Sequence, residues 1–112
     1  MITREIIEDF FVQNTNTMDC DFTKEPLWGY YFLDGETSRL KQLGIELEAK
    51  GYKVVDIFEA EMEDKSLPQE YYLHIEKTEC HTIDSLLERT KKFYKLIDKK
   101  GIGAFDGFDI TI

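Results

Sequence analysis

The chain has little positive charge, and that shortage excludes a class of proteins. Of its 112 residues, 23 are acidic and 14 are basic, which gives a formal net charge of -9. Proteins that bind nucleic acid draw most of their non-specific affinity from lysine and arginine. The composition therefore argues against direct binding of DNA or RNA.

Cysteine and long apolar runs are also scarce. Cys20 and Cys80 are the two cysteines, and they form no Cys-x-x-Cys motif. Two reduced thiols are the simpler interpretation, with one disulfide as the alternative. The first residues lack the apolar core of a signal peptide, and no apolar run approaches the roughly 20 residues of a membrane-spanning helix. We therefore expect a cytoplasmic protein with no membrane partner.

What is present is enough for one folded domain. The chain is 42% hydrophobic and 13% aromatic, too much for general disorder, and its length is that of a single core. We expect one domain over residues 1–112. Within it, residues 1–17 would form a helical arm and residues 27–112 the main body.

The spacing of apolar residues predicts seven elements. Helical spacing and short aromatic or alternating runs predict the following order: a helix over 3–13, a strand over 27–33, a helix over 36–50, strands over 52–62 and 70–78, a helix over 82–101 and a strand over 102–112. The apolar phase changes between Val54 and Val55, which predicts either a bulge or a strand buried on both faces. The order predicts an α+β, ferredoxin-like split βαβ domain (β-α-β-β-α-β, antiparallel sheet) with an additional N-terminal helix.

This topology leaves one face of the sheet without a crossover helix. Both crossover helices are expected on the same face, because crossovers are right-handed. Alternation in the third strand places Tyr72, His74 and Glu76 on one side. The strand over residues 27–33 has aromatic residues on both sides, so the sequence leaves open which side is buried. It also leaves open whether the N-terminal helix covers the other sheet face.

A metal site is one interpretation of His74 and Glu76, which share a strand face, with a third ligand from residues 79–81. An exposed polar strand is the simpler explanation, because no HExxH, CxxC or similar ligand spacing is present. Cys80 and His81 are sequence neighbours without an orienting third group, and there is no phosphate-binding glycine loop. We therefore expect no enzyme activity, no metal and no cofactor.

The last helix is basic in an otherwise acidic chain. Residues 82–101 carry six basic and three acidic side chains. Lysines near a helix C-terminus are stabilised by the helix dipole, which is the simpler explanation of this pattern. Docking of an acidic segment, including one from another copy of the chain, is the functional alternative.

Three segments of the sequence resemble conserved segments of one protein family. The sequence Leu-Glu-Ala-Lys-Gly-Tyr-Lys-Val at residues 47–54 resembles a helix-to-strand junction of the family, and residues 72–90 resemble its second half. The Phe-Asp-Gly-Phe sequence at residues 105–108 resembles its closing Tyr-Asp-Gly-Trp signature, with phenylalanine at both aromatic positions. The family is that of the regulators of ribonuclease E activity B, the RraB-like family, and the resemblance covers roughly residues 27–110.

The resemblance implies a small acidic ferredoxin-like protein that acts without catalysis of its own. The namesake of the family binds the endoribonuclease that scaffolds the bacterial RNA-degrading complex and restrains its activity by protein contact. We therefore expect an inhibitor-like regulator with a protein partner. The alternative function is that of a structural module that self-associates through its open sheet face. The candidate binding residues on that face are Tyr72, His74, Glu76, Asp106 and Phe108.

Overall fold

The computed structural model describes residues 1–13 and 26–111. Three helices and four strands form an α+β domain, in the predicted order: α1 (Arg4–Gln13), β1 (Leu27–Asp34), α2 (Thr37–Ala49), β2 (Lys53–Glu59), β3 (Tyr71–Thr78), α3 (Ile83–Lys100) and β4 (Ala104–Thr111). Residues 14–17 of the predicted arm, Cys20 and Ile112 lie outside the described residues. The thiol state predicted for Cys20 therefore stays a prediction.

The four strands form one antiparallel sheet with the order β2-β3-β1-β4. β1 lies inside the sheet, where it pairs with β3 on one side and β4 on the other. The predicted bulge in β2 is confirmed, because the pairing with β3 shifts register between Val54 and Asp56. Val55 is thus the additional residue, and the alternation of β2 resumes after it.

Burial identifies the inner face of the sheet. Trp28, Tyr30 and Phe32 of β1 are fully buried, together with Leu73 and Ile75 of β3. These side chains lie on one face, since residues two apart along a strand point the same way and the paired residues match across β1 and β3. The sequence left the buried side of β1 open, and burial assigns it to the Trp28 side.

Both crossover helices cover this inner face. The Phe93 ring of α3 lies 5.1 Å from the Phe32 ring, measured between centroids. In α2, a Cβ added to Gly44 would lie 3.1 Å from Val54 Cγ2 and 3.6 Å from Leu73 Cδ1, so this helix approaches the sheet closely. The helices and the inner face therefore form one two-layer core.

The start of α3 is fixed by a reciprocal cap at the residue that the sequence predicts. The Ser85 backbone N–H donates to Thr82 Oγ1 over 3.1 Å, and the Thr82 N–H donates to Ser85 Oγ over 2.8 Å. Gly101 ends the helix in the left-handed conformation, with φ of 69°. These two ends position the basic helix over the sheet.

A second bulge, in β4, was not predicted and corrects one candidate residue. Gly107 pairs with Tyr31, but Phe105 pairs with the next residue of β1, so Asp106 is the additional residue. Phe105 and Phe108 therefore both face the helices although they are three residues apart. The prediction that Phe108 lies on the open sheet face was wrong, because simple alternation does not hold across a bulge.

The helix α1 packs beside α3 rather than on the opposite sheet face. The Phe10 ring meets the Trp28 and Phe108 rings at centroid distances of 5.9 and 4.9 Å. Arg4 Nη1 donates to Asp84 Oδ1 of α3 over 2.7 Å. Within residues 1–13 and 26–111, the sheet face away from the helices is thus left without a covering helix.

Candidate functional site

The sheet face away from the helices, called the open face below, carries aromatic and acidic side chains. The strand register assigns to it the following aromatic and acidic residues: Tyr31 of β1, Asp56 and Phe58 of β2, Tyr72, His74 and Glu76 of β3, and Asp109 of β4. Asp106, the additional residue of the β4 bulge, also lies there, because its carboxylate accepts a hydrogen bond from Tyr72. Lys53 is the basic side chain that the same register places on this face. The open face therefore has four carboxylates to one lysine.

Four rings form a continuous row across β1, β3 and β2. The Tyr31 and His74 rings are stacked, with centroids 4.4 Å apart and planes at 13°. Tyr72 meets Tyr31 edge-on at 6.4 Å and packs on Phe58 at 5.5 Å. Phe58 is 39% exposed. Rings packed in this way are preorganised to bury apolar surface of another molecule.

Two tyrosine hydroxyls hold two carboxylates in place at the edge of this row. Tyr31 donates to Asp109 Oδ2 over 2.8 Å, and Tyr72 donates to Asp106 Oδ2 over 2.9 Å. Burial raises the pKa of Tyr31 to about 12, with the hydrogen bond to Asp109 and its negative charge adding to the effect. The hydrogen bond to Asp106 is the main cause of the raised pKa of Tyr72. Both hydroxyls therefore keep their protons at neutral pH and remain donors to the carboxylates.

A glycine lets the side chains of His74 and Asp109 pack closely over the backbone of β1. A Cβ on Gly29 would collide with Asp109 Oδ1 and lie 2.9 Å from His74 Nε2. The space above Gly29 is therefore already taken by these two side chains. Beside them lies a hollow of about 190 Å³, in which Glu76 Oε1 is 3.9 Å from His74 Nε2. The hollow presents an imidazole and two carboxylates to an incoming group.

The metal interpretation requires residues that the fold separates. His74 lies on the open face, whereas His81 is 6% exposed and packs edge-on against Trp28 on the inner side. Cys80 is exposed, so its side chain and that of His81 diverge. No group of three histidine, cysteine or acidic side chains suited to a metal is found within the described part of the chain.

A buried polar cluster lies between the inner face of the sheet and α3, and sequence reasoning missed it. Arg89 binds Glu79 with two parallel hydrogen bonds, each of 2.8 Å. The Tyr30 hydroxyl donates to Glu79 Oε2 over 2.7 Å and lies 2.8 Å from His81 Nε2. No spacing in the sequence links Tyr30 to the other three residues, which come together only because β1 pairs with β3 beneath α3.

The charge state of this buried polar cluster indicates a structural role. Burial opposes ionisation of Glu79, but hydrogen bonds from His81, Arg89 and Tyr30 outweigh it and lower the pKa of Glu79 to about 2. Both of its carboxylate oxygens accept hydrogen bonds from Arg89. A carboxylate with so low a pKa is a weak proton acceptor at neutral pH, so the cluster serves to fasten α3 to the sheet.

Comparison with known families shows the family of the chain. A model of the family named "Regulator of ribonuclease activity B" (RraB) matches residues 4–110. The chain belongs to the RraB family. The match begins at α1, so it extends further towards the N-terminus than the resemblance over residues 27–110. No curated protein matches the chain in sequence. Among the described residues, no helix is both long and apolar enough to cross a bilayer.

The RraB-family fold brings together most of the residues predicted for the site. Tyr72, His74, Glu76 and Asp106 lie on the open face, while Phe108 packs beneath α1. Sequence reasoning missed several members of the face. Alternation could have identified one of them, since a buried Tyr30 places the following tyrosine outside. The missed residues are Tyr31, Asp56, Phe58 and Asp109.

Proposed function

We propose that this protein regulates a ribonuclease by binding it through the open face, in the cytoplasm and without catalysing a reaction itself. Membership of the RraB family supports regulation of a ribonuclease as the function. The observation that carries the choice of surface is the row of packed rings bordered by carboxylates that tyrosine hydroxyls hold in place.

The chemistry of the open face favours a basic partner segment. Aromatic side chains at the centre of an interface are frequent energetic hot spots, and the ring row around Tyr31 and Tyr72 occupies that position. The surrounding carboxylates would steer a positively charged segment towards the face and speed association. We infer that the ribonuclease presents lysine or arginine side chains beside an apolar group.

We also infer a ferredoxin-like split βαβ arrangement for this domain. The β-α-β-β-α-β order supports it, as do the antiparallel pairs of β1 with β3 and of β3 with β2, which make β1 and β2 parallel with β3 between them. Such a sheet, with helices on one face, leaves the other face available to a partner.

Binding to the purified ribonuclease, and inhibition of its cleavage of RNA, test the proposal. The double variant Tyr72→Ala/Asp106→Asn removes a ring and a fixed charge from the open face. We expect it to weaken binding and inhibition at least about tenfold, which is the size of a hot-spot effect. The control is Asp98→Asn. It also removes one negative charge, but from an exposed position on α3, away from the open face. This variant should bind like the wild type.

Two results would overturn the proposal. One is equal inhibition by the double variant and the wild type. The other is a dimer in sedimentation experiments at micromolar concentration that the double variant dissociates, which would instead support self-association through the open face. Raising the salt concentration should weaken ribonuclease binding, because exposed charges are screened.

A further inference from the structure

A groove on the helix side of the molecule is lined by positive charge. It has a volume of about 420 Å³ and lies between the end of α2, the inner side of the sheet and α3. Six of its lining residues are basic: Lys50, Lys77, Arg89, Lys92, Lys95 and Lys99. In a chain with a net charge of -9, this concentration of cations in one concave site needs an explanation.

The lysines of the groove lack the carboxylate partners that neighbouring lysines have. Arg89 is paired with Glu79, whereas no carboxylate of residues 1–13 and 26–111 lies within 4.0 Å of the five lysine ammonium groups. On the same helix but outside the groove, Lys91 pairs with Glu88 and Lys100 pairs with Glu46. Mutual repulsion among the unpaired cations would be relieved by a bound anion.

The positions of the lysines suit a compact, multiply charged ligand. Lys92, Lys95 and Lys99 are spaced three and four apart, so they lie on one face of α3 and extend over about 10 Å of its axis. Lys50 and Lys77 come from the opposite wall of the groove. The remaining lining residues form an apolar and aromatic floor, made of Leu47, Tyr52, Phe93 and Leu96.

We infer that this groove binds a small polyphosphate, such as an inorganic oligophosphate or the phosphate chain of a nucleotide. Lysine is a point-charge donor suited to phosphate groups, and the volume is within the usual range of small-ligand sites. Lys77 and Arg89 already lie over the ring of Tyr52, at 4.9 and 5.4 Å from its centroid. Recognition would therefore depend on the phosphates rather than on stacking of a base.

The acidic body favours a small anion over a macromolecular one. The Debye length is about 8 Å in physiological salt, so a ligand contained in the groove interacts mainly with its lysines. A nucleic-acid strand or an acidic protein would extend beyond that distance across a surface of net negative charge, which repels it. This site is separate from the open face, so the inference does not depend on the proposed ribonuclease binding.

Calorimetric titration of the full chain with inorganic triphosphate, and separately with ATP in the absence of magnesium, tests the inference. The variant Lys92→Gln/Lys95→Gln removes two groove cations. The matched control Lys91→Gln/Lys100→Gln removes two cations of the same helix that do not line the groove. We expect the groove variant to bind triphosphate at least tenfold more weakly than the wild type, with less than a threefold change in the control.

The same titrations distinguish the sources of the phosphate and can reject the site. Similar affinity for triphosphate and ATP would support recognition of the phosphate chain, and tighter binding of ATP would identify a nucleotide as the preferred form. Equal weakening in both double variants would mean that net charge alone matters, and would overturn the site. So would absence of triphosphate binding, or tighter binding of a hexaglutamate peptide than of triphosphate.

Discussion

Two neighbouring tyrosines of β1 show how the same chemical groups do different work on the two faces of the sheet. Tyr30 donates to Glu79 over 2.7 Å, and Tyr31 donates to Asp109 over 2.8 Å. The first pair lies in the buried polar cluster, and the second lies on the open face. The bond lengths are nearly equal, so they do not account for the difference between the two faces.

Burial and a counter-charge account for the difference between the two faces of the sheet. The carboxylate of the buried polar cluster is bound by Arg89, and both side chains are less than 20% exposed. No arginine lies on the open face among the described residues. There His74 stacks on the ring of Tyr31, whereas in the buried polar cluster His81 contacts the hydroxyl of Tyr30. A buried ion pair is costly to break, whereas an exposed hydrogen bond exchanges readily with water. The first arrangement stabilises the fold, and the second is available to a partner.

The largest expected effect comes from removing the counter-charge of the buried polar cluster. Arg89→Ala leaves the largely buried carboxylate of Glu79 without its counter-charge and should lower the free energy of unfolding by about 3 kcal/mol. Arg89→Lys, which keeps the charge but loses the paired hydrogen bonds, should fall between Arg89→Ala and the wild type. Urea denaturation measures all three proteins.

An exposed arginine provides the control. Arg4 makes ion pairs with Glu8 and Asp84 but its side chain is 51% exposed, so Arg4→Ala should lower the free energy of unfolding far less than Arg89→Ala. Equal losses for Arg4→Ala and Arg89→Ala would contradict the distinction drawn between buried and exposed pairs.

Acid should weaken the buried polar cluster selectively. The pKa of Glu79 is lowered from 4.5 to about 2, so folding favours its ionised form. This contribution is fully present above pH 4.5 and is lost as the pH falls towards about 2, with a total of about 3 kcal/mol. Denaturation measured across this range should show a steeper loss in the wild type than in Glu79→Gln. Parallel curves for the two proteins would refute the assignment.

The smallest expected changes in stability come from removing the hydroxyl groups of Tyr30 and Tyr31, which compares the two faces of the sheet directly. Tyr30→Phe removes a hydrogen bond to a buried carboxylate and should lower the free energy of unfolding by about 2 kcal/mol. Tyr31→Phe makes the same chemical change on the open face, where water replaces the lost donor, and should change it by no more than about 0.5 kcal/mol. Chemical denaturation of both variants gives the comparison, and a larger loss for Tyr31→Phe would reverse the roles of the two faces.

Much of the fold was predictable because its signals are local. Helical spacing and short aromatic or alternating runs predicted the seven elements, and Thr82 predicted the start of α3. The phase change at Val54 predicted a bulge or a buried strand, and the structure has the bulge. Four of the five candidate residues of the open face follow from alternation within β3 and from the position of Asp106. Phe108 does not, because the bulge in β4 reverses its side. The apolar positions change phase between Phe105 and Phe108, and this signal was not used to predict the bulge.

By itself the sequence determined the order and type of the elements, the acidic charge and the family resemblance, since each depends on residues close together in the chain or on composition alone. Only the tertiary structure decided which side of β1 is buried, where α1 packs, and that Tyr30, Glu79 and Arg89 meet. The physical reason is that strand pairing and helix packing join residues far apart in the chain, such as Tyr30 and Arg89, which are 59 positions apart. Their burial and pKa values then depend on that distant environment rather than on their neighbours in sequence.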